Sequence, residues 1–317
     1  MARAISGSNQ RYPMPAFPRG WYSLLDSYEL SEGQIVPVQA FGEELIAVRA
    51  NDGSAHVYDA YCPHLGAHLA HGGSMVDGNV QCPFHAWQFS ASDGTCAAIP
   101  YAKRIPPTAS LESWHTDERN GLVMVFVDPE GKPPEWRVDE VRELDDPQWV
   151  PAAQLEWTIK THAHEVLENV FDTAHLKYVH GGPEVPRIER YDDASPGRIT
   201  FEIRGEAEDH SSDLDITLWG LGVQTLRYKI DLPVFELDTL LPIDAETVYA
   251  RTRLYMKDLG SPEANQAVAG EIAAELDRQV EGDIQIFEHK RHVADPLLCD
   301  GDGPIPLFRR WTEQFYR

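Results

Sequence analysis

Two short loops that mix sulfur and nitrogen donors constrain this chain more than any other feature. Cys62-Pro63-His64 sets a thiol and an imidazole two positions apart, and Cys82-Pro83-Phe84-His85 repeats the pairing at three. Seventeen residues separate His64 from Cys82. Pro63 and Pro83 stiffen the loops, and Gly66 and Gly73 permit tight turns. Trp87 and Phe89 follow closely enough to shield whatever the loops hold from water. Each loop supplies two donors, so a four-donor centre requires a fold in which the loops face each other.

Facing loops would give two sulfurs to one iron and two nitrogens to another. That is the ligand set of a Rieske [2Fe–2S] centre, in which two His replace two Cys on one iron. A structural zinc with two Cys and two His is the alternative. Zinc fingers, however, group like donors together, whereas each loop here mixes them. His68 and His71 lack the paired spacing and read as surface residues. Cys96 and Cys299 read as small buried side chains. The four cysteines could make two disulfides, but nothing marks the chain for secretion.

A second donor string occupies residues 161–180, THAHEVLENVFDTAHLKYVH. Read as a helix, Glu168, Asp172 and His175 fall at i, i+4 and i+7 and share one face, with His162 and His164 just upstream. Such a stripe amid Val166, Leu167, Val170, Phe171 and Leu176 is costly to bury without partners. His180 lies five residues past His175, so the helix is expected to end or bulge there, as Gly181-Gly182-Pro183 suggests. Two His and one carboxylate on one face of Fe(II) leave positions open for O2 and substrate. The carboxylate could come from Asp172, Glu168 or a distant residue. The alternative is an amphipathic helix with surface His and acids; against it, a one-electron carrier in the same chain needs a redox acceptor.

The 317 residues suggest two domains, and 42% hydrophobic content suffices for globular cores. A formal charge of −24, from 51 acidic and 27 basic residues, argues against nucleic acid. No run approaches the roughly 18–20 apolar residues of a membrane span, and the N-terminus lacks a signal-peptide core. A soluble, cytoplasmic protein is expected. Residues 35–38, 45–49, 56–58 and 121–127 read as strands, with turns at Glu32-Gly33, Phe41-Gly42 and Asn51-Asp52-Gly53. DPEGKPPEW, from Asp128 to Trp136, reads as a linker. Beyond it, 160–180 read as helix and 197–206, 216–230 and 246–257 as antiparallel strands. Ser261-Pro262-Glu263 opens a long helix that stops near Asp295-Pro296, with Gly270 and Gly282 as weak points. The expected organisation is an N-terminal segment over 1–19, an all-β domain over 20–130 and an α+β domain over 131–317. Ile216, Leu218, Trp219, Leu221, Val223, Phe235 and Leu237 are candidates for an apolar pocket, though each is more often plain core than pocket lining.

Together the two motifs resemble the Rieske oxygenase α-subunit family. Cys62, His64, Cys82 and His85 match its first motif, C-x-H-x17-C-x2-H. Asn169, Asp172, His175 and His180 match its second, N-x-x-D-x-x-H-x4-H. By that resemblance His175 and His180 ligate a mononuclear Fe(II). Asp172 is the bridging carboxylate, hydrogen-bonded to His175 and to His85 of a neighbouring subunit. The third ligand is an aspartate of a long C-terminal helix, here Asp283, with Glu281 and Asp277 as runners-up. Pro18–Tyr22 and the tail DPLLCDGDGPIPLFRRWTEQFY are similar to the branch of 3-ketosteroid 9α-hydroxylase oxygenase components and cholesterol 7-desaturases, although this chain is shorter. The resemblance implies a C-terminal helix-grip, START-like domain and a head-to-tail homotrimer. It also implies O2-dependent hydroxylation of a hydrophobic polycyclic, steroid-like substrate. Electrons would come from a separate ferredoxin or flavin reductase. This chain has no nicotinamide fingerprint, so NAD(P)H would act only through that partner. A desaturase, demethylase or aromatic-ring dihydroxylase would use the same irons. An electron-transfer Rieske protein, or a zinc-stabilised lipid-binding module, would be a different class altogether.

Overall fold

The computed structural model describes residues 11–206 and 213–317. Residues 1–10, part of the expected N-terminal segment and of the stretch judged to lack a signal peptide, lie outside the described residues, as do 207–212.

The first ten strands are β1 (Gly20–Asp26), β2 (Ile35–Ala40), β3 (Glu43–Arg49), β4 (Ala55–Asp59), β5 (Ser74–Val76), β6 (Asn79–Gln81), β7 (Gln88–Ser90), β8 (Cys96–Ala98), β9 (His115–Arg119) and β10 (Leu122–Val127). They form three small antiparallel sheets ordered β1-β10-β9, β2-β3-β4 and β5-β6-β7-β8. The turns read at Phe41-Gly42 and Asn51-Asp52-Gly53 close the β2–β3 and β3–β4 hairpins, while Glu32-Gly33 leads into β2. Phe41 and Gly42, between β2 and β3, both hold positive φ, at 57° and 75°.

The second half contains β11 (Trp149–Ile159), α1 (Ala163–Asn169), α2 (Thr173–Tyr178), β12 (Arg187–Asp192), β13 (Arg198–Arg204), β14 (Leu214–Trp219), β15 (Val223–Tyr228), β16 (Val234–Asp244), β17 (Thr247–Lys257), α3 (Pro262–Phe287) and α4 (Ile305–Thr312). Its seven strands make one antiparallel sheet, β11-β17-β16-β15-β14-β13-β12. α3 lies across the β11 end: Val268, Ala269, Ile272 and Leu276 pack on Val150, Leu155 and Leu254. A long helix against a curved sheet is the helix-grip arrangement. Ser261 caps α3 by accepting from the Ala264 N–H at 3.3 Å, with Pro262 in the first turn.

Several expectations are corrected. The helix of 160–180 breaks into α1 and α2 at Val170–Asp172. Tertiary packing causes the break. A Cβ built at Gly303 would collide with the Phe171 carbonyl, so the chain before α4 lies directly against this bend. The strand of 216–230 is a hairpin, β14 and β15, turned at Gly220-Leu221-Gly222 with Gly220 at φ 60°. α3 ends at Phe287 and does not run to Asp295, and Gly270 and Gly282 do not interrupt it.

The two halves share a buried boundary. Trp21, Met124 and Phe126 form one core with Val138, Trp219, Phe235 and Leu237. The expected linker is therefore packed: Trp136 lies against Phe126, and its carbonyl accepts from Trp21 Nε1 at 2.7 Å. Beside this core, Asp26 is 1% exposed and binds two arginines of β17. Arg251 Nη1 donates to its Oδ2 at 2.8 Å and Arg253 Nε to its Oδ1 at 2.7 Å. Buried charge is tolerated here because it is paired and fully hydrogen-bonded. No helix among the described residues is long and apolar enough to cross a membrane.

Candidate metal centres

The two Cys/His loops adopt the same backbone closure. The Cys62 carbonyl accepts from Gly66 N–H at 2.9 Å, and the Cys62 N–H donates to the Ala67 carbonyl at 2.9 Å. In the second loop the Cys82 carbonyl accepts from Ala86 N–H at 3.1 Å, and Cys82 N–H donates to the Trp87 carbonyl at 2.8 Å. Each turn needs a positive φ at its fourth residue after cysteine, 74° at Gly66 and 55° at Ala86. The loops face each other. The His64 and His85 ring centroids are 4.7 Å apart, and His64 stacks on Trp87 at 4.5 Å.

Both thiols are buried beside each other, Cys62 at 2% and Cys82 at 3% exposure. Burial pushes the Cys62 thiol up to about 11, and the neighbouring Cys82 pushes in the same direction. A bound metal reverses that cost by taking the thiolates. Among the described residues His85 Nδ1 is buried without a hydrogen-bond partner, an orphaned nitrogen of the kind a ligand position leaves. Among the described residues, the group of three or more donors that meet within 4.8 Å lies elsewhere. Four ligands around one zinc stand about 3.3–3.8 Å apart, given Zn–N and Zn–S bonds near 2.0–2.3 Å. The wider spread of Cys62, His64, Cys82 and His85 suits a two-iron cluster with sulfur on one side and nitrogen on the other. His71 is exposed, while His68 is half-buried and accepts from Ala70 N–H at 3.2 Å.

The group that does meet is His175, His180 and Asp283. His175 stands on α2, His180 in the turn beyond it and Asp283 in the last turns of α3. α3 packs on that turn at Gly282, where a Cβ would lie in ordinary contact, 3.4 Å from Val179 Cγ1. His180 Nε2 is 3.3 Å from Asp283 Oδ2. His175 Nδ1 hydrogen-bonds the Asp172 carbonyl, which leaves Nε2 as its free donor. Burial pushes the His175 pKa below the ordinary imidazole value, so the ring is held neutral, as a metal ligand must be. His180 Nδ1 is buried and has no hydrogen-bond partner among the described residues. The donor set, two imidazoles and one carboxylate, fits a non-heme Fe(II).

The broken helix redistributes the other candidates. Glu168 turns away from the group to accept from Arg309 Nε at 2.6 Å and Nη2 at 3.0 Å. Burial pushes its pKa up, but the neighbouring His164 and the Arg309 guanidinium outweigh this and hold it down at about 2. His162 caps α1 by accepting from His164 N–H at 3.1 Å, and His164 Nδ1 meets Tyr316 Oη at 3.1 Å. Asp277 accepts from Trp157 Nε1 at 2.9 Å, and Glu281 is exposed, so neither runner-up joins the group. Asp172 contacts His175 through its carbonyl, not through the carboxylate expected from the sequence. Asp172 and Asn169 line a small surface hollow with Lys290 and Arg309, and Asn169 also reaches the main cavity.

That cavity, about 450 Å³, is bounded by His175, His180 and Asp283 together with Trp157, Val170, Leu226 and Leu240. Of the strand residues named as pocket candidates, Ile216 lines it. The others belong to the cores on either side of the sheet. Reading the sequence missed a polar set on the cavity wall: Gln224, Tyr228, Glu236, Asp238 and Thr252. Their alternation with apolar residues reads as a solvent-facing strand face, and only the fold shows that this face is enclosed.

The comparisons agree with this geometry. A Rieske [2Fe-2S] domain matches residues 20–114, and a 3-ketosteroid 9α-hydroxylase C-terminal domain matches 125–316. The chain is 33% identical to a probable 3-ketosteroid-9-alpha-monooxygenase, oxygenase component, of Rhodococcus rhodochrous, over 96% of this chain and 81% of that protein. It is 30% identical to cholesterol 7-desaturase of Caenorhabditis elegans, over 95% of this chain and 77% of that protein. Among solved structures, Pseudomonas putida CBB5 NdmA with caffeine superposes with a TM-score of 0.75 at 19% identity, covering 92% of this chain and 89% of that one. Dicamba monooxygenase bound to dicamba superposes with a TM-score of 0.71 at 17% identity, covering 96% and 98%. Both likenesses are of fold. The cofactors of such an enzyme are a Rieske cluster and a mononuclear iron, with O2 as co-substrate and electrons from a separate reductase. This chain belongs to the Rieske non-heme iron oxygenases, as an oxygenase component whose C-terminal domain is of the 3-ketosteroid 9α-hydroxylase type.

Proposed function

We propose that this chain hydroxylates an apolar polycyclic, steroid-like substrate, with residues 20–130 as the electron-receiving domain and 131–317 as the catalytic one. In this reading Cys62, His64, Cys82 and His85 hold the [2Fe–2S] cluster, and His175, His180 and Asp283 hold Fe(II). One observation carries it: the three-donor group opens onto a cavity of about 450 Å³, within the range of small-molecule sites. When bound, the iron supplies O2 activation and C–H oxidation. The protein's own contributions are separate. Trp157, Ile216, Leu226 and Leu240 exclude water from the bound substrate. The Asp172 carbonyl fixes the tautomer and aim of the His175 ring.

The same reading includes a homotrimer. Leu65, Phe84 and Tyr101 are 64%, 59% and 62% exposed around His64 and His85. Leu297 and Leu298 are exposed beside the hollow that Asp172 lines. Docking the first face on the second face of another copy would cover both apolar patches and bring His85 toward Asp172. Light scattering on the purified protein tests this; a monomer at micromolar concentration would remove it.

The decisive experiment on activity is a product screen. Purified protein, a surrogate reductase and O2 are incubated with steroids and with non-steroid polycyclic compounds, and products are read by mass spectrometry. Steroid products gaining one oxygen atom support the reading. Products losing two hydrogens would make the chain a desaturase, and turnover of non-steroids alone would remove the steroid assignment.

A further inference from the structure

The concave wall of the cavity carries a polar row that iron binding does not use. Strand pairing sets Gln224 opposite Asp238 and Asp238 opposite Thr252, across β15, β16 and β17. All three line the cavity. Gln224 is 9% exposed and Asp238 7%. Gln224 Nε2 donates to Asp238 Oδ2 at 2.9 Å, and Thr252 stands opposite Asp238 on β17. Two atoms are left over: Gln224 Oε1 and Asp238 Oδ1 are buried without a partner among the described residues. Arg253 does not neutralise Asp238 directly, because it directs its hydrogen bonds across the sheet to Asp26 and Thr239. Next to the row, Glu236 accepts from the Tyr228 hydroxyl at 2.6 Å, so its polar contact is internal.

Folding alone gives no reason to keep this row. Leaving buried polar atoms unpaired is destabilising, and apolar residues of similar shape would pack a sheet face at least as well. An unpaired acceptor on residues that line a substrate cavity is instead a place for a ligand's polar group. We propose that Gln224 and Asp238 bind a hydroxyl group of the substrate, so that this chain takes an apolar polycyclic alcohol in preference to the corresponding ketone. The substrate class rests on the steroid reading above; the anchoring role of the row does not. A hydroxyl donates to one of the two acceptors, and where Asp238 is protonated it also accepts from that carboxyl. A ketone has no proton to give and makes one hydrogen bond fewer in either state. Burial raises the Asp238 pKa, which makes its carboxyl a possible donor as well and adds to the fit for a two-way partner.

Equilibrium dialysis of the iron-loaded protein tests the proposal with two ligand pairs. Cholestanol and cholestanone differ only in a hydroxyl or ketone on the same ring carbon, and decalol and decalone are a bicyclic pair with the same difference. The alcohol of a pair should bind about tenfold more tightly than its ketone, the loss of one hydrogen bond. The double change Gln224→Leu with Asp238→Leu should bring that ratio to one or below, while Asp238→Asn, which still donates and accepts, should keep most of it. The ratio is taken within each variant, so a general loss of packing does not move it. Equal binding of alcohol and ketone by the unaltered protein overturns the proposal without any variant. A ratio unchanged in the double variant overturns it too, as does failure of all four ligands to bind. Discrimination within the decalol pair and silence of the steroid pair supports the anchor and removes the steroid reading.

Discussion

Asp283 Oδ2 stands 3.3 Å from His180 Nε2, joining the C-terminal end of α3 to the turn that follows α2. Elements distant in sequence thus meet at one point, and α3 is pinned nearby by the Trp157–Asp277 hydrogen bond. The two acids of α3 therefore have separable tasks. Asp283→Ala should lower iron by about one atom per chain and leave acid-labile sulfide unchanged, by metal and sulfide assay. Asp277→Asn should keep the iron and cost about 1 kcal/mol, a fall in Tm of roughly 2–4 °C by calorimetry. Iron loss in the second variant instead of the first would exchange the two assignments.

The cluster loops should respond independently of that centre. Cys82→Ala or His64→Ala should abolish the visible absorption and the reduced-state EPR signal of the Rieske centre while the His175 site still binds one iron. Persistence of the chromophore in both variants would move the cluster to other residues.

Acid stability should carry the signature of Glu168 and His162. The folded pKa of Glu168 is about 2 against an ordinary value of 4.5, so its stabilisation is complete above pH 4.5 and is lost as pH falls toward 2. The shift corresponds to ~3 kcal/mol at most. His162 is held at about 4 against 6.5, chiefly by burial, so a further loss sets in as pH falls from 6.5 to 4. Urea unfolding between pH 7 and pH 3 checks both. Glu168→Gln should be less stable at pH 7 and flatter below pH 4.5; an unchanged slope there would place the acid sensitivity elsewhere.

Removing Asp26 should weaken the junction of the two halves. Asp26→Ala leaves Arg251 and Arg253 without their buried carboxylate, a change that typically costs about 3–5 kcal/mol. Replacing Arg253 by Leu in the same chain should recover part of it. A cost below about 1 kcal/mol in the single variant, by denaturant titration, would mean that Glu29 and solvent compensate.

The features legible in the sequence are those written within one loop or turn. Cys62, His64, Cys82 and His85 stand out because each loop carries its own donor pair and closing residue. The hairpin turns at Phe41-Gly42 and Asn51-Asp52-Gly53 are equally local. The helix break at Val170–Asp172 is not, because its cause is Gly303 pressing on the Phe171 carbonyl and Arg309 drawing Glu168 away. The turn at Gly220-Leu221-Gly222 carried a readable signal, two glycines between apolar runs, that a continuous strand ignores. The row of Gln224, Asp238 and Thr252 was hidden for another reason. Polar residues alternating along a strand look the same whether they face solvent or an enclosed cavity.

The bend that presents His175 is completed by residues made late. Gly303 lies on the Phe171 carbonyl, Arg309 holds Glu168, and Phe308 packs on Phe171 at a ring separation of 5.0 Å. On the ribosome, both cysteine loops emerge long before residues 303–309, so every donor of the first metal centre is made well ahead of the side chains that hold the bend of the second.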